Sequence, residues 1–145
     1  MGPFYPIEAA SKGVTEITIG VIMSTFSISY IITAVIAGKY LSQIGKENGI
    51  KFGTLLIVVQ LFGLSFLKYV ESGYWFAGLS ILAMCIGGAG AALNSTCSLA
   101  IVTVTFPDEM ESNIGILEGS TGLGFLIGPL LSSFLYTLGG YCLPF

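Results

Sequence analysis

SGYWFAGLSILAMCIGGAGAALNSTCSLAIVTVTFP, residues 72–107, carries no charged side chain. As one helix it would extend ~54 Å at about 1.5 Å per residue, well past the ~30 Å hydrocarbon core of a bilayer. Three more charge-free stretches accompany it, Ile17–Gly38, Phe52–Leu67 and Gly119–Phe145. Charged residues are 9% of the 145-residue chain and its mean hydropathy is +0.90, whereas soluble domains carry roughly 25% charge. A water-exposed surface built from this composition would be dominated by apolar patches. The chain therefore reads as an all-α polytopic membrane protein, because a helix satisfies its backbone hydrogen bonds internally where no water is present.

Four crossings are expected within one unit spanning residues 1–145, at roughly 17–41, 52–69, 75–105 and 113–138. Phe52–Leu67 is short, but Lys68 can snorkel to the interface and Val70 prolongs the apolar run. The third crossing is longer than needed, which implies tilt or a projecting end, and Pro107 punctuates it. Gly139 and Gly140 close the fourth. The first is rich in Ile, Ser and Thr, and its hydroxyls can bond back to carbonyls one turn earlier. Residues Met1–Glu16 contain Pro3, Pro6, Glu8, Lys12 and Glu16 and no apolar core of a cleavable signal.

Composition also excludes functions. The net charge is -3, with five Lys and no Arg or His, so there is no basic patch for nucleic acid and little to build a metal or haem site from. No acid–base pair, nucleophile constellation or phosphate-binding loop stands in a convincing context, and neither enzymatic activity nor a cofactor is expected. Cys85 and Cys97 lie ~18 Å apart along one helix, too far to bridge, and read as small buried hydrophobes.

Loop charges set the orientation. Lys39, Lys46 and Lys51 cluster around the first hairpin, which the positive-inside rule places in the cytoplasm. The Lys68–Trp75 loop then faces outward or into a lumen, and the acidic Pro107–Asn113 loop is cytoplasmic again. Tyr69, Tyr74, Trp75 and Phe76 resemble an interfacial aromatic belt. Both termini fall outside; Glu8, Lys12 and Glu16 then have to cross the membrane, which is easier behind a preceding helix. Both ends look cut.

A few residues stand out against this apolar background. Glu118 lies near the cytoplasmic end of the fourth crossing. Intramembrane carboxylates face protein or a water-filled path, so it is a candidate for attracting a cation, carrying a proton or accepting a bond; the other reading is that it simply reaches the interface. Asn94 and Gln60 sit deep in the third and second crossings and need partners, either on a neighbouring helix or in a cavity. Gly122, Gly124 and Gly128, followed by Pro129, form a small-residue face with a helix-bending proline, read as a pliable seam between moving helices or as ordinary packing. Gly38, Gly45 and Lys46 frame the first cytoplasmic turn, where glycine permits a tight reversal and Lys46 can meet lipid phosphate or a helix C-terminus.

Taken in order, these segments resemble the major facilitator superfamily of secondary transporters, and within it the vesicular amine and polyamine transporter-like branch. Phe4-Tyr5-Pro6 with Lys12-Gly13 is similar to the lumenal loop after that family's first helix. Gly38 through Lys46 resembles the motif between its helices two and three, with Gly38, Gly45 and Lys46 matching, while Ser42 replaces an Asp and Gln43 a basic residue. Gly124, Gly128 and Pro129 match the antiporter motif of helix five, Ser132 and Ser133 replacing its last glycines. Met84 stands where helix four has Arg. The resemblance implies part of the N-terminal half of a twelve-helix transporter, helices two to five, with the other helices as partners in a full-length chain. It further implies proton-coupled antiport of a small organic cation, an amine or polyamine, with protons and the lipid bilayer as the remaining partners, in a vesicular or other endomembrane. By this reading the chain alone would not transport. Two rivals are a small four-helix multidrug-type transporter that dimerises and a non-transporting membrane subunit.

The orientation is directly testable in a background where Cys85, Cys97 and Cys142 are serine. Ser112→Cys is expected to react with a membrane-impermeant maleimide only from the cytoplasmic side, and Ser72→Cys only from the opposite side. Labelling of both from one side would overturn the lysine-based assignment.

Overall fold

A computed structural model describes residues 4–11, 13–70 and 72–139. It is all helical among those residues: a short α1 (Phe4–Ser11), then four long helices, α2 (Glu16–Ile44), α3 (Lys46–Phe66), α4 (Gly73–Thr105) and α5 (Met110–Gly139), with a 3-10 turn at Leu67–Tyr69 after α3. All four long helices are long and apolar enough to cross a membrane. The chain is an integral, multi-pass membrane protein.

Helix ends depart from the apolar boundaries in an informative way. α3 starts at Lys46 although its apolar run starts at Phe52, and α5 starts at Met110 rather than Asn113. Charge marks where hydrocarbon gives way to headgroups, but Lys46, Glu47 and Lys51 are sound helix formers and continue the helix into water. The break between α2 and α3 falls on one residue, Gly45, at φ 78°, a left-handed conformation that side chains with a Cβ resist. Gly38 instead lies inside α2 with open space where a Cβ would be.

The N-terminal segment is more ordered than a loop. At the end of α1, Gly13 N–H donates to the Ala10 carbonyl at 3.0 Å and Val14 N–H to that of Ala9 at 3.1 Å. With Gly13 at φ 77°, this is the Schellman arrangement, in which the left-handed glycine satisfies two terminal carbonyls. Ala9 and Val14 are both buried, in one cluster with Tyr5, Ile22, Leu64, Phe76 and Met84. α1 thereby closes one end of the bundle. The Tyr5 ring stacks on Phe76 at 5.9 Å, so Phe76 is wholly buried, while Tyr69, Tyr74 and Trp75 are exposed. Exposure leaves only those three of the four aromatics free to meet an interface, and Phe76 belongs to the core, packed against Tyr5 of α1. The Tyr5 and Ser80 hydroxyls are both buried without a hydrogen bond of good geometry. Burial pushes the Tyr5 phenol above its usual range, and the nearby Ser80 hydroxyl only partly offsets that.

α4 is the hub. It packs along α2 on one side and α3 on the other, while α2 and α3 scarcely touch and α5 lies lightly against α4. The run Gly87-Gly88-Ala89-Gly90 makes this possible. A Cβ at Gly88 would strike the Phe26 carbonyl of α2, and one at Gly87 would strike the Gln60 side chain of α3. A Cβ at Gly90 would come 2.7 Å from the Gly53 carbonyl, and one at Gly53 2.8 Å from the Gly90 carbonyl. Further along, Gly49 lies against Cys97 and Gly63 faces Ala83, so α3 and α4 run antiparallel. Between α2 and α4, the Ser29 hydroxyl donates to the Cys85 carbonyl at 2.6 Å. Ser24 and Thr25 bond back within α2, to the carbonyls of Gly20 and Val21.

Because Gly90 leaves no room on the α3 side, Gly90→Leu is expected to separate the two helices and cost at least ~1–3 kcal/mol, the range for overpacked cores. A thermal-stability assay by size-exclusion chromatography in mild detergent checks this. A melting temperature equal to wild type would refute the assigned contact.

Candidate functional site

Gln60 comes from the middle of α3 and is 7% exposed. Its side chain crosses to α4 because Gly87 has no Cβ to block it. There the amide Nε2 donates to the Met84 sulfur at 3.8 Å, a weak acceptor. Gln60, Met84 and Gly87 line a cavity of about 400 Å³ completed by Met23 and Phe26 of α2 and by Phe125 of α5. All four long helices contribute to its lining. Its wall is apolar except for the Gln60 amide.

Asn94 points elsewhere. Its Nδ2 donates to Thr54 Oγ1 of α3 at 3.4 Å, a bond across the α3–α4 seam outside the cavity lining. This is the interhelical partner that a half-buried amide in a membrane helix requires.

Glu118 is exposed on α5, about two turns from Phe125 and on the same stripe by helical periodicity. Of the partly buried positions of α5, Ile114, Ser132 and Tyr136 fall near that stripe, while Leu117 lies about 100° around the helix from it. Glu118 lies about 10 Å along the helix from Phe125 and is itself exposed. Pro129 lies inside α5, which continues through it.

The glycines divide into two groups. Gly122, Gly124 and Gly128 have open space where a Cβ would stand, so among the described residues nothing packs against that face. The close helix contacts lie instead at Gly53, Gly87, Gly88 and Gly90. Lys46 is half-buried at the start of α3 beside Gly45. The side chains of Ser42 and Gln43 lie outside the described residues, as does Cys142. Of the cysteines, Cys97 is buried and Cys85 exposed, so the reading of both as buried holds for Cys97 alone: Cys85 sits on the outer flank of the α2–α4 contact, its thiol 3.6 Å from the Ser29 hydroxyl. The sequence reading passed over Met23, Phe26 and Phe125. An apolar residue on a helix that is apolar all round gives no sign of which face looks inward; the signal available was the pairing of Gln60 with a glycine-rich neighbouring helix.

Comparison with known proteins gives a consistent answer. The sequence pattern of the Major Facilitator Superfamily matches residues 1–145. The chain is 33% identical over 147 aligned residues to the human MFS-type transporter SLC18B1, covering 100% of this chain and 32% of that protein. It is 28% identical over 125 residues to multidrug resistance protein 2 of Bacillus subtilis, covering 84% of this chain and 29% of that protein. It is 24% identical over 134 residues to the quinolone resistance protein NorA of Staphylococcus aureus strain MRSA252, covering 92% and 33%. The chain thus spans about a third of the length of these relatives. No solved structure matches.

The Asn94–Thr54 bond yields a measurable expectation. In a double-mutant cycle of Asn94→Ala and Thr54→Val, read by denaturation in mixed micelles, the coupling is expected near ~0.6 kcal/mol, the usual size for such bonds. Strict additivity would show that the two side chains do not interact.

Proposed function

The chain belongs to the major facilitator superfamily, and from that membership we propose that it forms part of the N-terminal half of a secondary active transporter, exchanging protons for a cationic amine or polyamine. The observation that carries this reading is the cavity shared by all four long helices, whose α5 wall also bears Glu118 two turns away. Phe26 and Phe125 bring aromatic rings to the lining, a group that can attract a cation, and Met23 and Met84 offer polarizable sulfur that adapts to varied shapes. Two relatives carry multidrug or quinolone resistance in their names, and an apolar wall suits cargo with an apolar body.

Alternating access requires one packed group of helices to move against another. Among the described residues α2 and α3 pack closely on α4, and α5 makes few contacts. Pro129 lacks an amide hydrogen and disfavours straight continuation of α5. Movement of α5 would change the Phe125 wall and the position of Glu118 together. We assign Glu118 to cation attraction or proton coupling, and the α2–α3 turn at Gly45 and Lys46, with Gly38 inside α2 shortly before it, to the cytoplasmic gate. The transport path itself would lie between the two halves of the full protein, near mid-membrane. An acidic vesicle or other endomembrane would supply the proton gradient.

The full-length protein in proteoliposomes with an acidic interior is expected to accumulate labelled amine or spermidine, and to lose that uptake when an ionophore collapses the gradient. Glu118→Gln is expected to lower uptake on the order of tenfold, equivalent to about 1.4 kcal/mol, with Glu118→Asp retaining part of it. Unchanged uptake in Glu118→Gln would remove that residue from the mechanism. Uptake indifferent to the gradient would remove proton antiport.

A further inference from the structure

Two hydroxyls, Tyr5 Oη and Ser80 Oγ, are wholly buried without a hydrogen-bond partner, whereas buried polar groups are normally paired. They are neighbours, but their geometry makes no bond between them. Keeping both dry penalises the docked position of α1, and water at the end of the bundle would satisfy both at once. What opposes that penalty is apolar. The Tyr5 ring stacks on Phe76 at 5.9 Å, and Ala9 and Val14 are buried in the same cluster. Ala9 follows Tyr5 by about one helical turn, so the two share a face, and of the described α1 side chains Tyr5 is the bulky buried one. One ring holds the helix down while its own hydroxyl works against it.

α1 is also built to move as a unit. Its C-terminus is closed by its own Gly13 and Val14 amides. α2 has a separate cap: the Thr15 hydroxyl accepts the Thr18 N–H at 3.4 Å, and the Thr15 carbonyl accepts that of Ile19 at 3.0 Å. Among the described residues neither helix borrows a backbone hydrogen bond from the other, so the Val14–Thr15 link can turn without breaking one. The cluster beneath α1 continues inward. Leu64 and Met84, with Phe26 packed against them, belong both to that cluster and to the cavity lining, and Ser80 precedes Met84 by about one turn of α4. We infer that α1 is a latch on the end of the bundle that carries the α3–α4 loop, that the unpaired hydroxyls of Tyr5 and Ser80 keep its docked state only marginally favoured, and that its release admits water to Ser80 and to the inner wall at Met84. As a gate for access it rests on the transporter reading; as a moving helix it stands without it.

The test is amide hydrogen exchange, read by mass spectrometry on the full-length protein in nanodiscs and run beside the uptake assay. In wild type the α1 amides are expected to exchange faster than those of Gly87–Gly90, by local opening. Tyr5→Phe keeps the stack and removes one unpaired hydroxyl, and Ser80→Ala removes the other. Each is expected to slow α1 exchange on the order of tenfold, the size of relieving one unsatisfied buried group, and the double variant is expected to slow it further. Tyr5→Ala, which removes the ring, is expected to speed it. In a protein otherwise free of cysteine, Ser80→Cys is expected to react slowly with a membrane-impermeant maleimide, and about tenfold more slowly when Tyr5→Phe is added. Wild-type α1 exchange as slow as that of Gly87–Gly90, or exchange unchanged or faster in the double variant, overturns the latch. Slower exchange with slower uptake supports the gate, and slower exchange with unaltered uptake overturns it. Hydroxyl-dependent exchange in a protein without any uptake supports the latch and removes the transport reading; uptake with exchange indifferent to both hydroxyls does the reverse.

Discussion

Everything in this fold depends on how closely α4 approaches its two neighbours. Lipid tails are as apolar as leucine, so burying apolar side chains between membrane helices gains little, and close van der Waals packing has to hold them together. Gly88 against the Phe26 carbonyl and Gly90 against the Gly53 carbonyl bring backbone against backbone. The same approach sets the polar contacts. Ser29 reaches the Cys85 carbonyl and Asn94 reaches Thr54 only because the helix axes are drawn together, and Gln60 finds its position in the notch left by Gly87.

The contrast between α4 and α5 follows from the same rule. Both are rich in glycine, but the glycines of α4 have carbonyls and side chains pressed against them, whereas Gly122, Gly124 and Gly128 of α5 have open space. Small residues permit close contact without causing it; a partner surface of matching shape is also required. Among the described residues α4 holds α2 and α3 closely, while α5 contributes a wall to the cavity and makes few contacts.

Much of this architecture was legible in the chain. The number of long helices follows from the charge-free stretches, because the cost of placing a charge in hydrocarbon leaves such a plain mark. Helix ends were less legible: Lys46 and Met110 begin helices in water, where charge carries no information about backbone conformation. The short α1 was missed because its signal, a left-handed Gly13 whose flanking residues share the core, depends on contacts with distant helices. For the site, Gln60 was visible as a polar side chain in an apolar run. Its companions Met23, Phe26 and Phe125 were not, since hydropathy treats every face of a lipid-embedded helix alike. The GxxxG face of α5 drew attention by pattern, while the close contacts among the described residues lie in the less regular Gly87-Gly88-Ala89-Gly90.

The central place of α4 has a consequence for biosynthesis. Chains are made from the N-terminus, so α2 and α3 enter the membrane before the helix that joins them. With so little contact between those two, the early hairpin has no interface of its own. Until α4 emerges, the Ser29 hydroxyl lacks its cross-helix acceptor and the Gln60 amide its notch, both facing lipid or the insertion machinery. Close packing of this unit therefore waits for its third long segment.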